Sequence, residues 1–194
     1  MLLCALPDRK DDSNMEKKDN TSQGKLTAME AAAKYLSSRM RTSSELREHL
    51  IRKGYSSDEA DETVNMMTGY RYIDDYQYSL RYYEYNREKH RGSLRAAREL
   101  AEKGVDAETI KYAREDFLYS GGIDEYADAL EIALKEISSA VSYELFETGS
   151  DEEREAGFTL DDKLAAKIAR KLDSKGFEKK DIFRVLDDLR RRYD

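Results

Sequence analysis

Arg41–Tyr55 reads RTSSELREHLIRKGY, and Arg91–Val105 reads RGSLRAARELAEKGV. The two stretches align without gaps at an offset of fifty residues, and the register continues beyond them: Ile73-Asp74-Asp75-Tyr76 returns as Ile123-Asp124-Glu125-Tyr126. A third copy, Lys163–Phe177 (KLAAKIARKLDSKGF), follows the second by seventy-two residues. The twenty-two extra positions are largely accounted for by one acidic stretch. A repeat of this period is the mark of a chain built from stacked supersecondary units.

Each copy obeys the same physical rules. Leu50, Leu100 and Leu172 are equivalent, as are Leu46, Ala96 and Ile168 one turn earlier, which gives an apolar i, i+4 face. Each copy then ends Lys-Gly: Lys53-Gly54, Lys103-Gly104, Lys175-Gly176. Glycine admits the left-handed conformation that closes a helix, and lysine suits the negative end of the helix dipole. An apolar residue follows (Tyr55, Val105, Phe177), placed to pack back on the helix just ended. The next helix opens on a capping box at Ser56–Glu59 in the first copy and on Asp106 in the second. It carries Ala60, Ile110 or Ile182 at one position and Met67, Phe117 or Leu189 seven later. A further helix precedes each pair, over roughly 27–40, 74–89 and 124–146. The second of these has two apolar stripes, Tyr76/Leu80/Tyr83 and Tyr78/Tyr82/Tyr85, which suits a helix sandwiched between neighbouring modules.

The expected architecture is therefore all-α. Residues 1–26 form a disordered tail, 27–72, 73–122 and 123–194 form three three-helix modules, and the last module carries an acidic insertion at 144–160. One proline and ten glycines in 194 residues leave few breakers for such helices. Tyrosine, fourteen times present beside no tryptophan, serves where burial is partial. The net charge of −7 resides in residues 144–162, whose eight acids face one base, so the remainder of the chain is neutral.

Composition also limits chemistry. Cys4 is the only cysteine, which excludes an internal disulfide or a thiolate cluster. Met1–Pro7 is too short for a secretory core, and no stretch approaches the ~20 apolar residues of a membrane span; the expectation is a cytoplasmic protein away from membranes. No Gly-rich phosphate loop occurs. His49 and His90 lie forty-one residues apart without a ligand motif and are read as surface or packing residues. The acid pairs Asp74-Asp75, Asp124-Glu125 and Asp161-Asp162 stand where helices begin, so capping is preferred to a two-carboxylate active site. The expectation is a non-enzyme with no cofactor and no metal.

Basic residues offer the candidate contacts. Between Arg87 and Arg98, Arg87, Lys89, Arg91, Arg95 and Arg98 face Glu88 alone; between Arg39 and Lys53 the excess is three. The repeat makes Arg41, Arg91 and Lys163 equivalent, one cation at the entrance to each module's second helix. Two readings stand: an ordinary solvated helix surface, or a ladder of basic spots (Arg41, Arg87, Lys89, Arg91, Arg95, Arg98, Lys163) facing an anionic partner. Screening over ~8 Å at physiological salt leaves such a patch indifferent to a distant acidic loop. The acidic pI of about 5.1 weighs against non-specific duplex binding and favours a protein partner. The tyrosines around 70–85, interleaved with Arg71 and Arg81, fit packing better than base stacking.

The pattern Gly92-x6-Glu99-Leu100-x-x-Lys103-Gly104-Val105, preceded by Gly69-Tyr70-x-x-Ile73-Asp74-Asp75, resembles the RecX family, bacterial regulators of the RecA recombinase. The first module fits as well, with Arg41-x-x-Ser44-Glu45-Leu46-x3-Leu50-x-x-Lys53-Gly54-Tyr55. The resemblance covers about residues 28–193. It implies an elongated, curved monomer of three three-helix modules that binds the RecA filament on single-stranded DNA and limits or remodels it, in recombination and repair. Two alternatives stay open: a helical-repeat scaffold for another protein, and direct binding of single-stranded DNA by the Arg87–Arg98 patch.

Overall fold

The computed structural model describes residues 26–120, 123–148 and 159–193, and among these the regular structure is helical, without a strand. The first trio is α1 (Ala28–Leu36), α2 (Ser43–Arg52) and α3 (Ser57–Gly69). The second is α4 (Asp75–Glu88), α5 (Ser93–Glu102) and α6 (Ala107–Ser120), and the third α7 (Glu125–Thr148), α8 (Asp162–Lys175) and α9 (Lys179–Tyr193). The all-α expectation holds. The tail at 1–26 lies outside the described residues apart from Leu26, and so does most of the acidic insertion. Of that insertion, 144–148 continue α7, and Leu160 is buried in the third core.

Local chemistry explains where the helices begin. Thr27, Thr42 and Ser56 each accept from the backbone amide three residues on, and Glu30, Glu45 and Glu59 return to the cap's own amide. These reciprocal bonds satisfy amides that a helix start would otherwise leave open. Asp74, Asp106 and Asp161 cap α4, α6 and α8 through single carboxylate bonds. α1 is shorter than expected and stops at Leu36 rather than Met40. Ser37 and Ser38 turn their hydroxyls back onto the carbonyls of Lys34 and Tyr35, a local alternative to continuing the helix.

The helix ends repeat one geometry. In Gly54, Gly104 and Gly176 φ is +85, +76 and +86°. The following amide of Tyr55, Val105 or Phe177 reaches back 3.2 Å to the carbonyl of Leu50, Leu100 or Leu172. This double turn satisfies the last carbonyls and folds an apolar side chain onto the helix. Val105 and Phe177 are buried.

Three apolar clusters follow, one per trio. Leu46, Leu50, Ala60 and Met67 centre the first; Tyr83, Ala96, Leu100 and Phe117 the second; Ile168, Leu172, Val185 and Leu189 the third. Ile73 closes the first cluster and Ile123 packs on the second, so each lies in the core that precedes the expected boundary. Their amides turn back to Met67 and Leu118 and carry the side chains with them. α4 buries Ser79, Tyr83 and Asn86 most fully, and Tyr76, Leu80, Tyr78 and Tyr82 from its two expected stripes are partly buried against the second core.

The trios are joined through the ends of their second helices. The carbonyl of Lys103, at the end of α5, accepts from Thr42 Oγ1 at the start of α2 (2.8 Å). The carbonyls of Lys175 and Gly176, at the end of α8, accept from the amides of Gly92 (2.9 Å) and Leu94 (3.2 Å) at the start of α5. At the second joint carbonyl end thus meets amide end, so each helix supplies partners that the other lacks; at the first, the cap hydroxyl takes the amide's place, and in both the dipoles run head to tail. The approach is close: a Cβ on Gly92 would lie 2.2 Å from the Gly176 carbonyl oxygen.

The second member of each early acid pair completes the joint. Asp75 accepts from the amide (2.8 Å) and hydroxyl (2.5 Å) of Ser43. Glu125 does the same for Ser93, at 2.6 and 2.7 Å. Capping is indeed the role of these acids, but Asp75 and Glu125 cap a helix of the preceding trio rather than their own. Asp162, by contrast, is exposed and pairs with Arg190 at 3.2 Å. Arg114 ties the second joint together. It donates to Ser93 Oγ at 2.8 Å, bonds Glu178 directly and lies 3.8 Å from Glu125. Bonds from Arg114 and Lys180 hold the Glu178 carboxyl below its ordinary value, whereas burial pushes Glu125 up.

Leu50→Ala and Leu100→Ala, both at fully buried positions, should each cost about 2–5 kcal/mol in urea unfolding. Gly92→Ala should cost about 1–3 kcal/mol through the closed joint, since φ there is an ordinary −72° and only space is lacking. Gly69→Ala, with nothing within 4 Å, should leave stability unchanged or raise it by up to about 1 kcal/mol. Because the folded-state pKa of Glu178 is lowered, its contribution is present above the unfolded value near 4.5 and lost as pH falls through the folded one. Unfolding measured on both sides of 4.5 should therefore show a weaker acid destabilisation in Glu178→Gln than in the unaltered protein.

Candidate functional site

The first joint leaves a cleft of about 600 Å³ between α2 on one side and α4 and α5 on the other. Helical spacing supplies its walls. Glu45 and Glu48 stand on one face of α2, Glu99 and Glu102 on one face of α5, and Tyr82 and Tyr85 continue a stripe of α4; Arg91 and Lys103 complete the lining. Tyr78 stacks on Tyr82 with ring centres 6.0 Å apart, and Tyr82 meets Tyr85 at 6.2 Å and 39°. The outer tyrosine stripe thus faces the neighbouring trio, as the side of an open cleft. Tyr78 and Tyr82 are partly buried against the second core, and Tyr85 is exposed.

Inside the cleft much of the charge is already paired. Lys103 Nζ bonds Glu45 at 3.2 Å and lies 5.7 Å above the Tyr82 ring. Glu99 accepts from Tyr82 Oη (2.7 Å) and Arg95 Nε (2.9 Å), with Arg91 3.9 Å away. Burial and the Glu99 bond push the Tyr82 phenol up to about 12, so it stays a proton donor. Burial raises the Glu99 carboxyl, and the bonds from Tyr82 and Arg95 outweigh it; the net direction is down, and Glu99 is ionised. Glu48 and Glu102 are exposed, with no ion-pair partner among the described residues.

The basic residues expected as a ladder are dispersed. Arg87 is engaged by Asp128 of α7 at 2.8 Å. Arg91 and Arg95 converge on Glu99. Arg41 lies with its guanidinium 4.4 Å over the Tyr35 ring, which also stacks on His49, and its Nε is buried without a partner among the described residues. Lys89 sits over Tyr85 at 5.6 Å, and Arg98 donates to the Leu94 carbonyl. Lys163 is exposed, but it is not at a helix entrance. Asp161 caps α8 one turn earlier than the repeat requires, so Lys163 is already helical. Among the described residues Lys89, Arg98 and Lys163 are thus the members of this set with neither a carboxylate partner nor a stacked guanidinium. The acidic cleft itself had one sign in the sequence, the Tyr78/Tyr82/Tyr85 stripe; its four glutamates come from helices that the sequence does not place side by side.

His49 packs on Tyr35, and burial pushes its imidazole down, reinforced by Lys53, Arg52 and Arg41. Among the described residues no three His, Cys, Asp or Glu side chains are arranged to hold a metal ion, and no helix is long and apolar enough to cross a membrane.

Comparison with known proteins agrees with the fold. The family model for the first three-helix domain of RecX matches residues 28–65. The regulatory protein RecX of Bacillus licheniformis is 31% identical over 131 residues, which cover 67% of this chain and 50% of that protein. That of Clostridium tetani is 27% identical over 159 residues, covering 81% and 65%. The chain spans about half the length of the Bacillus relatives it matches. The crystal structure of RecX from Lactobacillus salivarius superposes with a TM-score of 0.67 at 21% identity, over 84% of this chain and 94% of that one, and shares its fold. With the repeated helix ends, the three-core architecture and the matching first domain in agreement, the chain belongs to the RecX family.

Proposed function

We propose that this chain is a non-catalytic regulator that binds the RecA recombinase filament on single-stranded DNA and inhibits or remodels it. The observation that carries the reading is its kinship with proteins named regulatory protein RecX, at 31% identity over 131 residues. The architecture is compatible with it. A row of trios joined end to end offers repeated, similarly spaced surfaces, which suits a partner that is itself a repeating polymer.

Within this reading the basic set Arg41, Arg87, Lys89, Arg91, Arg95, Arg98 and Lys163 makes contact, and its members contribute unequally. A cation already held by a carboxylate must give up that bond to meet a partner, whereas Lys89, Arg98 and Lys163 need not. The contacts are with protein first. Single-stranded DNA is reached through the filament, since the chain carries no net positive charge.

RecA hydrolyses ATP when assembled on single-stranded DNA, and that activity reports the filament. Addition of this protein at micromolar concentration should lower the ATPase rate and should be accompanied by co-sedimentation with the filament. Unchanged hydrolysis together with no binding at that concentration would end the reading.

A further inference from the structure

At the end of α3 the chain closes its helix with a residue that does not suit the closure. The amide of Tyr72 reaches 2.9 Å back to the carbonyl of Met67, the same five-residue return that Tyr55, Val105 and Phe177 make after their helices. The residue before it therefore stands where Gly54, Gly104 and Gly176 stand, yet here it is Arg71, held at a φ of +59°. That conformation crowds a side chain and suits glycine. The second trio has glycine at the equivalent place, since fifty residues on Tyr70-Arg71-Tyr72 becomes Ser120-Gly121-Gly122. His90 takes a similar conformation after α4, but its carbonyl accepts from Lys175, so that turn serves the second joint. Arg71 has no carboxylate partner among the described residues. Tyr70 and Tyr72 on either side of it are 69% and 70% exposed, so neither packs, contrary to the expectation for the tyrosines of this region. Ile73, next along, enters the core instead. Backbone strain that serves no contact within the fold points to a contact outside it.

We propose that Tyr70, Arg71 and Tyr72 form a contact point for a protein partner, with Arg71 meeting a carboxylate set in an apolar surface and the two rings covering that surface. Tyrosine and arginine suit this role. Rigid rings bury much area on binding, and a guanidinium flanked by rings pairs with a carboxylate shielded from water. Single-stranded nucleic acid fits the turn less well. From Asp58 to Asp75 six acids stand against Arg71 as the one base, and a strand bringing a phosphate with each nucleotide would meet that surplus. A single carboxylate needs only Arg71. The partner taken here is the protein of the RecA filament, so this contact rests on the function proposed above.

The test measures the affinity of the full chain for the RecA filament on single-stranded DNA, and its unfolding in urea. Tyr70→Ser/Tyr72→Ser and Arg71→Gly should each weaken filament binding about tenfold. Phe183→Ser, which removes an equally exposed ring from α9, should leave it unchanged. Arg71→Gly should also keep or raise the urea midpoint, because it relieves the left-handed residue. A residue that served only the fold would give the reverse pattern, a lower midpoint with filament affinity kept. That pattern overturns the contact, as does an equal loss of affinity in Phe183→Ser. Two further measurements expose other occupants. Binding of a free single-stranded oligonucleotide that the double tyrosine variant loses would assign the turn to nucleic acid. A dimer in sedimentation that the same variant dissociates would assign it to a second copy. Either result overturns the protein contact. Filament binding that is equal in all variants sinks the contact and spares the function proposed above, whereas no binding by the unaltered protein sinks both.

Discussion

The contact between the carbonyl end of one second helix and the amide end of another governs how the rest of the chain is arranged. Every helix leaves amides unpaired at its start and carbonyls unpaired at its finish. Here the two deficits meet directly where α8 faces α5, with the Lys175 and Gly176 carbonyls taking backbone amides, while α5 faces α2 through the Thr42 hydroxyl on the Lys103 carbonyl. This arrangement gives the Lys-Gly endings of α5 and α8 a second role beside closing their own helices. The left-handed glycine closes its own helix and, having no side chain, lets the next helix start come within hydrogen-bonding range. Gly92 is small for the same reason seen from the other side.

Charge is distributed around that contact by two kinds of residue. Asp75 and Glu125 stand at the start of one trio and satisfy the helix start of the trio before it. They are anions at the positive end of a helix dipole, and Glu125 is buried there with Arg114 beside it. The remaining surface charge is partly neutralised in place. Arg87, Arg91 and Arg95 look like an open basic patch along the chain, yet each has a carboxylate neighbour in space. Of the candidate basic set, Lys89, Arg98 and Lys163 remain without a carboxylate neighbour among the described residues, beside an acidic, tyrosine-lined cleft that counting charges along the chain does not suggest.

Much of the architecture was legible because its determinants are local. The apolar positions Leu46 and Leu50, and their counterparts Ala96 and Leu100, recur at helical spacing, and periodic burial follows from that spacing alone. Thr42, Ser56 and Asp106 bond amides three residues away. The apolar residue after each Lys-Gly turn reaches a carbonyl five residues back. Such features depend on neighbours that the chain itself places nearby. Lys163 marks where repetition stops being a guide: it aligns with Arg41 and Arg91, but Asp161, a better cap than anything three residues later, starts α8 a turn early.

The amino-acid sequence by itself therefore determined the helices, their caps, their buried faces and the three-fold repetition, since periodicity and short-range hydrogen bonds are written within a few residues. The tertiary structure alone decided which charges are spent and which are free. Lys103 meets Glu45 across 58 residues, Arg87 meets Asp128 across 41 and Arg114 meets Glu178 across 64. Coulombic pairing acts through space, and those separations close only when the trios are joined end to end.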